Sequence, residues 1–443
     1  MAGKNRLAAS WLLVLVVSAV VLTAAVAAAE EHGRNQGPVT LLRTVPIPNS
    51  PLVVFDISWV DPDSQRYYLA DRSNAAIDVI DARHDTFVRQ IHGGFKGFTG
   101  SNDTSGPNGV VVAGHWLFVT DAPSRVLSFD LRTNPPTTVS EVSTTDGDPT
   151  RADELAYDPE DGLLLVINNA AKPPFGTLIR VNQANGDLTV VTQIIFDAAH
   201  GVDATNGAEQ PVWEPGTGRF YLSIPEISGD GTTNLHGAVL RISTAGEVEA
   251  TYPVDFCGPA GLAVGPHEDL LVGCNTVFDL VGGKWTTNAD RETSTAMPQY
   301  VILDANTGRI DTNVLGVGAG DEVWFNEGDG HYYTASSGSP LAPNAITPAR
   351  PPVGTATTAP VLTAQGAAIL GVIDAFSKTL DQLVPTLNVP AVVAPAPNPH
   401  PAGTAHSVAA NAETNHVFVP LAANNAFLDC LKGCIVVYGH DQD

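Results

Sequence analysis

DELAYDPEDGLLLVIN, residues 153–168, decides the fold, because the chain repeats its plan seven times. The stretch opens on two carboxylates, continues through an apolar triplet, turns at Asp158 to Gly162 and returns as a bulky apolar run ending in Asn168. The same order reads DISWVDPDSQRYYLAD from Asp56, NGVVVAGHWLFVTD from Asn108 and EQPVWEPGTGRFYLSI from Glu209. It returns as AGLAVGPHEDLLVGCN from Ala260, DEVWFNEGDGHYYTAS from Asp321 and HSVAANAETNHVFVPL from His406. The copies start roughly every 45–60 residues, with a longer last step of about 85, and a hairpin at such a period marks blades around an axis.

Working outward, each copy is followed by a third short apolar strand, such as Ala76 to Ile80, Arg125 to Phe129 or Gly176 to Arg180. A weaker fourth follows in Thr86 to Ile91 and Leu188 to Ile194. Four antiparallel strands make one blade, buried on both faces against its neighbours. The fold class expected is therefore all-β: a propeller of seven four-stranded antiparallel blades, or six if residues 260–310 do not form a unit. Forty-one glycines, thirty-three prolines and no long helical periodicity agree with many short strands joined by turns. If Val39 to Val45 pairs outside Ile435 to Tyr438, the chain ends share a blade and latch the ring.

The N-terminus has another character. Lys4 and Arg6 precede an apolar stretch from Leu7 to Ala29 that ends in three alanines. A basic start, an apolar middle and small exit residues read as a secretory signal over 1–29, placing the protein outside the cell or in the periplasm. An uncleaved segment of this length would instead be a membrane anchor. Residues 30–38 form a polar, disordered lead, and 39–443 a single propeller domain. Residues 336–365, rich in Pro, Ala and Thr, form an extended insertion; residues 366–387 then hold a third strand and a short helical turn. Four cysteines behind an export segment imply disulfides, of which the local pairs Cys257–Cys274 and Cys430–Cys434 are the simplest of three connectivities.

Forty-seven acidic against twenty-two basic residues give a formal charge of −25, which disfavours nucleic acid and anionic lipid as partners. Aligning the copies on their triplets brings Asp56, Asn108, Asp153, Glu209, Ala260, Asp321 and His406 to equivalent places at the inner-strand starts, facing the axis. Several carboxylates around one channel repel each other unless protonated or neutralised by a cation. Asn108, Asp153, Glu209, Asp321 and His406 are thus candidate metal ligands. Oxygen donors suit Ca²⁺ or Mg²⁺, and a contribution from His406 admits Mn²⁺, Fe²⁺ or Zn²⁺. A polar, metal-free channel mouth is the alternative. Glu154, Gln210, Glu322 and Ser407 exchange roles with their neighbours if the register slips by one. Glu154, Glu322 and His406 are the candidate proton-transfer groups, with His200 and His236 as weaker additions. No nucleophile elbow, zincin helix or phosphate-binding glycine loop is present.

Two resemblances follow from these segments. Glu209-Gln-Pro-Val-Trp213 resembles the E-G-P-x-W segment of the gluconolactonase/senescence-marker-protein family, whose Glu binds a catalytic divalent metal. Pro107-Asn-Gly109 is similar to that family's S-N-G segment, whose Asn is a further ligand. Pro259-Ala-Gly-Leu-Ala263 resembles its P-D-G-L-A segment, but Ala260 stands in place of the ligand Asp, the segment order differs, and that family has six blades. Ser73 to Asp81 and His406 to Val419 resemble the YVTN-type repeats of exported seven-bladed proteins, many of them binders. The gluconolactonase resemblance implies metal-assisted hydrolysis of a lactone or ester small-molecule substrate at the channel mouth, with the ion activating water. The YVTN resemblance implies a non-catalytic envelope binding or scaffold propeller with an unknown protein ligand. A metal-dependent lyase or isomerase is a third reading.

Overall fold

The computed structural model describes residues 37–48, 50–145, 147–231, 235–279, 284–285, 296, 298–318, 320–336, 369–386, 406–423 and 428–440. The expected signal segment, nearly all of the polar lead and nearly all of the 336–365 insertion lie outside these residues. Among the described residues there are seven sheets, each built on four antiparallel strands that are consecutive in sequence in five of them. We number the blades I (58–91), II (110–143), III (155–195), IV (211–255), V (257–315), VI (320–385) and VII (409–440 with 39–46). The chain is a seven-bladed β-propeller. No helix among the described residues is long and apolar enough to cross a membrane.

The repeat explains the blade hairpin. In four of the seven copies the residue closing the apolar triplet's strand caps the turn that follows. Asp61 accepts from the Ser64 amide at 3.1 Å, Asp158 from Glu160 at 2.8 Å, Glu214 from Gly216 at 2.8 Å and Asn411 from Glu413 at 2.9 Å. The turn then ends on a left-handed residue, Gly162 and Gly218 in two copies and Gln65 and Asn415 in two others. The second strand is apolar on both faces because both faces are covered. In the strand His416–Leu421, Val417, Val419 and Leu421 pack toward blade VI while Phe418 packs toward blade I. Seven apolar clusters result, one at each junction between neighbouring blades.

The ring closes as the sequence suggests. Val39–Pro46 is the outer strand of blade VII and pairs antiparallel with Cys434–His440, from Val39 opposite His440 to Pro46 opposite Cys434. Both cysteine pairs are bonded locally, Cys257 to Cys274 across one hairpin and Cys430 to Cys434 across a turn. Two details differ from the sequence reading. The helical turn expected in 366–387 is strand: Ile369–Asp374 and Thr379–Pro385 are the third and fourth strands of blade VI. The fourth strand's Val384 fills the VI–VII junction, a tertiary demand that overrides local spacing. Blade V carries an additional short strand, Lys284–Trp285, on Val277 and Phe278.

Candidate functional site: a salt-bridged axis beneath an apolar cavity

The starts of the inner strands do converge, and a belt of polar bonds runs from blade to blade. Asp321 of blade VI meets His406 Nδ1 at 2.9 Å, and His406 Nε2 meets Asp56 at 3.0 Å. Asp56 is paired with the Arg72 guanidinium, whose Nε and Nη2 also donate to Asn108 Oδ1 at 2.9 and 2.8 Å. Asn108 Nδ2 in turn donates to the Ala152 carbonyl at 2.7 Å. Arg151 binds Asp153 at 2.7 Å and stands 3.6 Å from Asp56. Two arginines thus supply positive charge where the sequence pointed to a cation. Glycine lets the belt close: a Cβ on Gly109 would sit 2.6 Å from the Asp153 carbonyl, and one on Gly261 2.6 Å from that of Asp321.

Charge balance around the belt is uneven. Burial alone would raise Asp56, but Arg72, His406 and Arg151 outweigh it and hold the carboxyl well below its usual range. Burial pulls Arg72 down from its ordinary value against Asp56 and Asp153, yet a guanidinium stays charged throughout the range in which proteins fold. His406 is pushed well up; burial opposes this, and the carboxylates of Asp321 and Asp56 prevail. Asp321 and His406 keep 38 % and 31 % of their side chains exposed, so solvent screens their pair more than it screens Asp56–Arg72. Asp153 is raised to about 6 by burial, against the pull of Arg151. Glu209 is raised to about 8, first by burial and then by Asp321 and Asp153.

One residue further along each strand the environment changes. Glu154, Gln210 and Glu322 line the inner end of a cavity of about 720 Å³, which runs along the axis to the far turns. Its walls come from the triplets of blades I to VI, including Trp59, Val111, Leu155, Val212, Leu262 and Trp324. Its mouth is rimmed by Asp61, Asp63, His115, Trp116 and Gln183. Glu154 and Glu322 are 8 % and 3 % exposed. Both carboxyls are pushed well above the usual range, by burial first; Glu322 adds to the effect on Glu154, and Asp321 to that on Glu322, against His406. Glu154 Oε2 has no hydrogen-bond partner, nor do the indole nitrogens of Trp59 and Trp213. Gln210, by contrast, accepts from the Leu262 amide at 2.6 Å, and Ser407 donates to Ser58 at 2.7 Å. The two possible registers are therefore two successive layers, a charged belt and a floor that holds the buried acids Glu154 and Glu322.

Among the sequence candidates, Asp56, Asn108, Asp153, Asp321 and His406 belong to the belt, Glu209 lies close enough to feel its charges, and Ala260 is buried. No three of the acids and histidines in the belt bring donor atoms within 4.8 Å of one another; among the described residues such groups occur elsewhere. His200 and His236 pair with Asp197 and Asp255 at the surface, at 2.7 and 2.9 Å, away from the axis. Sequence reasoning missed Arg72 and Arg151. The Asp-Arg step closing the second strand of blade I was the available sign for the first. The aromatic members of the triplets, Trp59, Trp213 and Trp324, pack against the junction clusters and also wall the cavity.

Comparison with known proteins supports the architecture. No family model matches the chain, and no curated protein matches it in sequence. The WD40 domain of Neurospora crassa Pan2 superposes with a TM-score of 0.55 at 8 % identity, covering 92 % of this chain and 97 % of that one. A chain of the mitotic checkpoint complex gives 0.55 at 11 % identity over 92 % and 94 %, and the Dos1 propeller 0.53 at 10 % over 90 % and 95 %. At such identities the likeness is one of fold: this chain is similar to seven-bladed propellers of the WD40 kind.

Proposed function

We propose that this chain is an exported, non-catalytic binding propeller that takes a compact, largely apolar ligand bearing a hydrogen-bond donor into its axial cavity. The observation that carries the reading is the unpartnered Glu154 carboxyl oxygen at the inner end of an apolar cavity of about 720 Å³. Small-molecule sites are concave, mostly apolar, and fixed by few polar groups. An amine or hydroxyl reaching Glu154 would satisfy an atom that otherwise costs about 1–3 kcal/mol to bury. An amine would also be drawn by the chain's negative charge. The paired cysteines and the apolar N-terminal segment support export. An apolar side chain of a protein partner would fit the same cavity.

Trp59, Trp116, Trp213 and Trp324 line the cavity, so indole fluorescence reports on occupancy. Titration with 1-naphthylmethylamine, 1-naphthylmethanol and 1-methylnaphthalene should give tighter binding for the two donors than for the hydrocarbon. Glu154→Leu should abolish that difference while leaving hydrocarbon binding. Equal affinities for all three, or binding unaffected by filling the cavity with Ala156→Trp, would refute the reading.

A second reading is lactone or ester hydrolysis, favoured by the acids Glu154 and Glu322, whose raised proton affinities suit general-acid catalysis. Its divalent ion, held by Asn108, Asp153, Glu209, Asp321 and His406, would have to compete with Arg151 for Asp153. It would also have to part His406 from Asp321. Turnover of aryl esters or lactones that requires added Ca²⁺, Mn²⁺ or Zn²⁺ and is lost in Glu209→Gln would establish it over the binding role.

A further inference from the structure

Away from the axis, the junction of blades VI and VII brings two histidines and an aspartate together. Asp329 lies in the first turn of blade VI and is fully buried, and His331 opens the next strand at 3 % exposure. His440 ends the strand that pairs with the latch. His331 Nδ1 is 3.5 Å from Asp329 Oδ1, and His440 Nε2 is 3.4 Å from Asp329 Oδ2. Their donor atoms all lie within 4.8 Å of one another.

The outer faces of the two rings decide what the inner faces can do. His440 Nδ1 lies 2.6 Å from the Gly37 carbonyl, which only accepts, so that nitrogen carries the proton. His331 Nε2 lies 3.1 Å from Asp381 Oδ2 and donates likewise. In the neutral rings, His331 Nδ1 and His440 Nε2 then turn lone pairs toward a carboxylate that is also an acceptor. His331 Nδ1 is buried with no hydrogen-bond partner. Asp329 Oδ1 accepts from the His331 backbone N–H at 3.1 Å and Oδ2 from the Tyr333 hydroxyl at 2.7 Å, and that hydroxyl stands 3.5 Å from His440 Nε2. With those tautomers three acceptors converge on one point, an arrangement that a metal cation between them resolves, as would a further proton on either ring.

We propose that Asp329, His331 and His440 bind one divalent transition-metal ion, Zn²⁺ fitting best, at the seam where the ring closes. Zinc bonds of about 2.0–2.2 Å arranged tetrahedrally put ligand atoms roughly 3.3–3.6 Å apart, close to the 3.5 and 3.4 Å that separate Asp329 from the two rings, with the fourth position left to water. Asp381 and the Gly37 carbonyl are the outer partners that orient metal-bound imidazoles. Nitrogen and carboxylate donors favour Zn²⁺, and Co²⁺ as its spectroscopic substitute, over Ca²⁺ or Mg²⁺. Because the ligands come from blade VI and from the strand carrying the latch, the ion ties the last blade to its neighbour. This site is independent of the axial cavity, and either assignment stands without the other.

The test uses the purified chain without a histidine tag, stripped with chelator and titrated with Co²⁺ and Zn²⁺. One equivalent per chain is expected, with the visible absorption of tetrahedral Co²⁺ and a Zn²⁺-dependent rise in unfolding temperature. Asp381→Asn should weaken binding about 10- to 100-fold. His440→Gln, at a side chain 9 % exposed and so the milder change to the fold, should abolish both the spectrum and the thermal shift. Less than about a tenth of an equivalent bound at saturation would overturn the proposal, as would metal binding that His440→Gln and Asp381→Asn leave unchanged; about one equivalent is the minimum for a structural site.

Discussion

Replacing Arg72 by methionine tests whether the axis is held by charge pairing. Arg72 is 1 % exposed and serves two partners at once, the Asp56 carboxylate and Asn108 Oδ1. Removing one partner of a buried pair costs about 3–5 kcal/mol, because the other charge is left behind. Here Asp56 keeps His406 at 3.0 Å and Arg151 at 3.6 Å, which softens the loss. Asn108 Oδ1 loses both donors, which adds about 1–3 kcal/mol for an unsatisfied buried acceptor. Arg72→Met is therefore expected to destabilise the chain by about 3–5 kcal/mol in urea unfolding at neutral pH. Asp56→Asn in the same background should recover at least about 1.5 kcal/mol relative to additivity, since it removes the stranded charge. The pH dependence supplies the sign. Asp56 is held below its unfolded value, so its contribution is complete above about pH 4 and is lost as pH falls toward the folded value. In Arg72→Met that acid-labile contribution should shrink. A loss below about 1 kcal/mol, or strictly additive effects in the double variant, would refute the argument.

Glu209 behaves oppositely. With its proton affinity raised from 4.5 to about 8, the folded state holds a proton that the unfolded chain releases, so stability should decline as pH rises through that window. Glu209→Gln should flatten that decline in unfolding midpoints measured from pH 5 to 9, and an unchanged slope would count against it. The Cys257–Cys274 bond closes a loop of sequence separation 17, worth about 3 kcal/mol by chain entropy. The double serine variant should lose about that much in urea unfolding, and more than the Cys430–Cys434 counterpart of separation 4.

Much of the fold was legible because its determinants are local and repeated. The turn caps Asp61, Asp158, Glu214 and Asn411 recur at one place in the repeat, and the latch strand was readable as the one apolar run left over. The axial layer was legible for the same reason: aligning triplets aligns Asp56, Asn108, Asp153, Asp321 and His406. What answers their charge was not. Arg72 follows a second strand and Arg151 precedes an inner one, so no single column of the repeat holds both. Glu154 and Glu322 were visible as neighbours, but their buried, floor-like setting depends on aromatic walls contributed by distant blades. Asp329 and His331 are 109 or more positions from His440 and meet it only because the ring closes.

The latch has a mechanical consequence. Val39 lies opposite His440, so the two chain ends leave the propeller from the same end of one antiparallel pair. A force drawing the ends apart would load those hydrogen bonds one after another, as a zipper opens, rather than all together in shear. The propeller would then yield first at its seam and shed blade VII's outer strand before any other blade felt the pull. The contacts bearing the first load would be those at His440 itself.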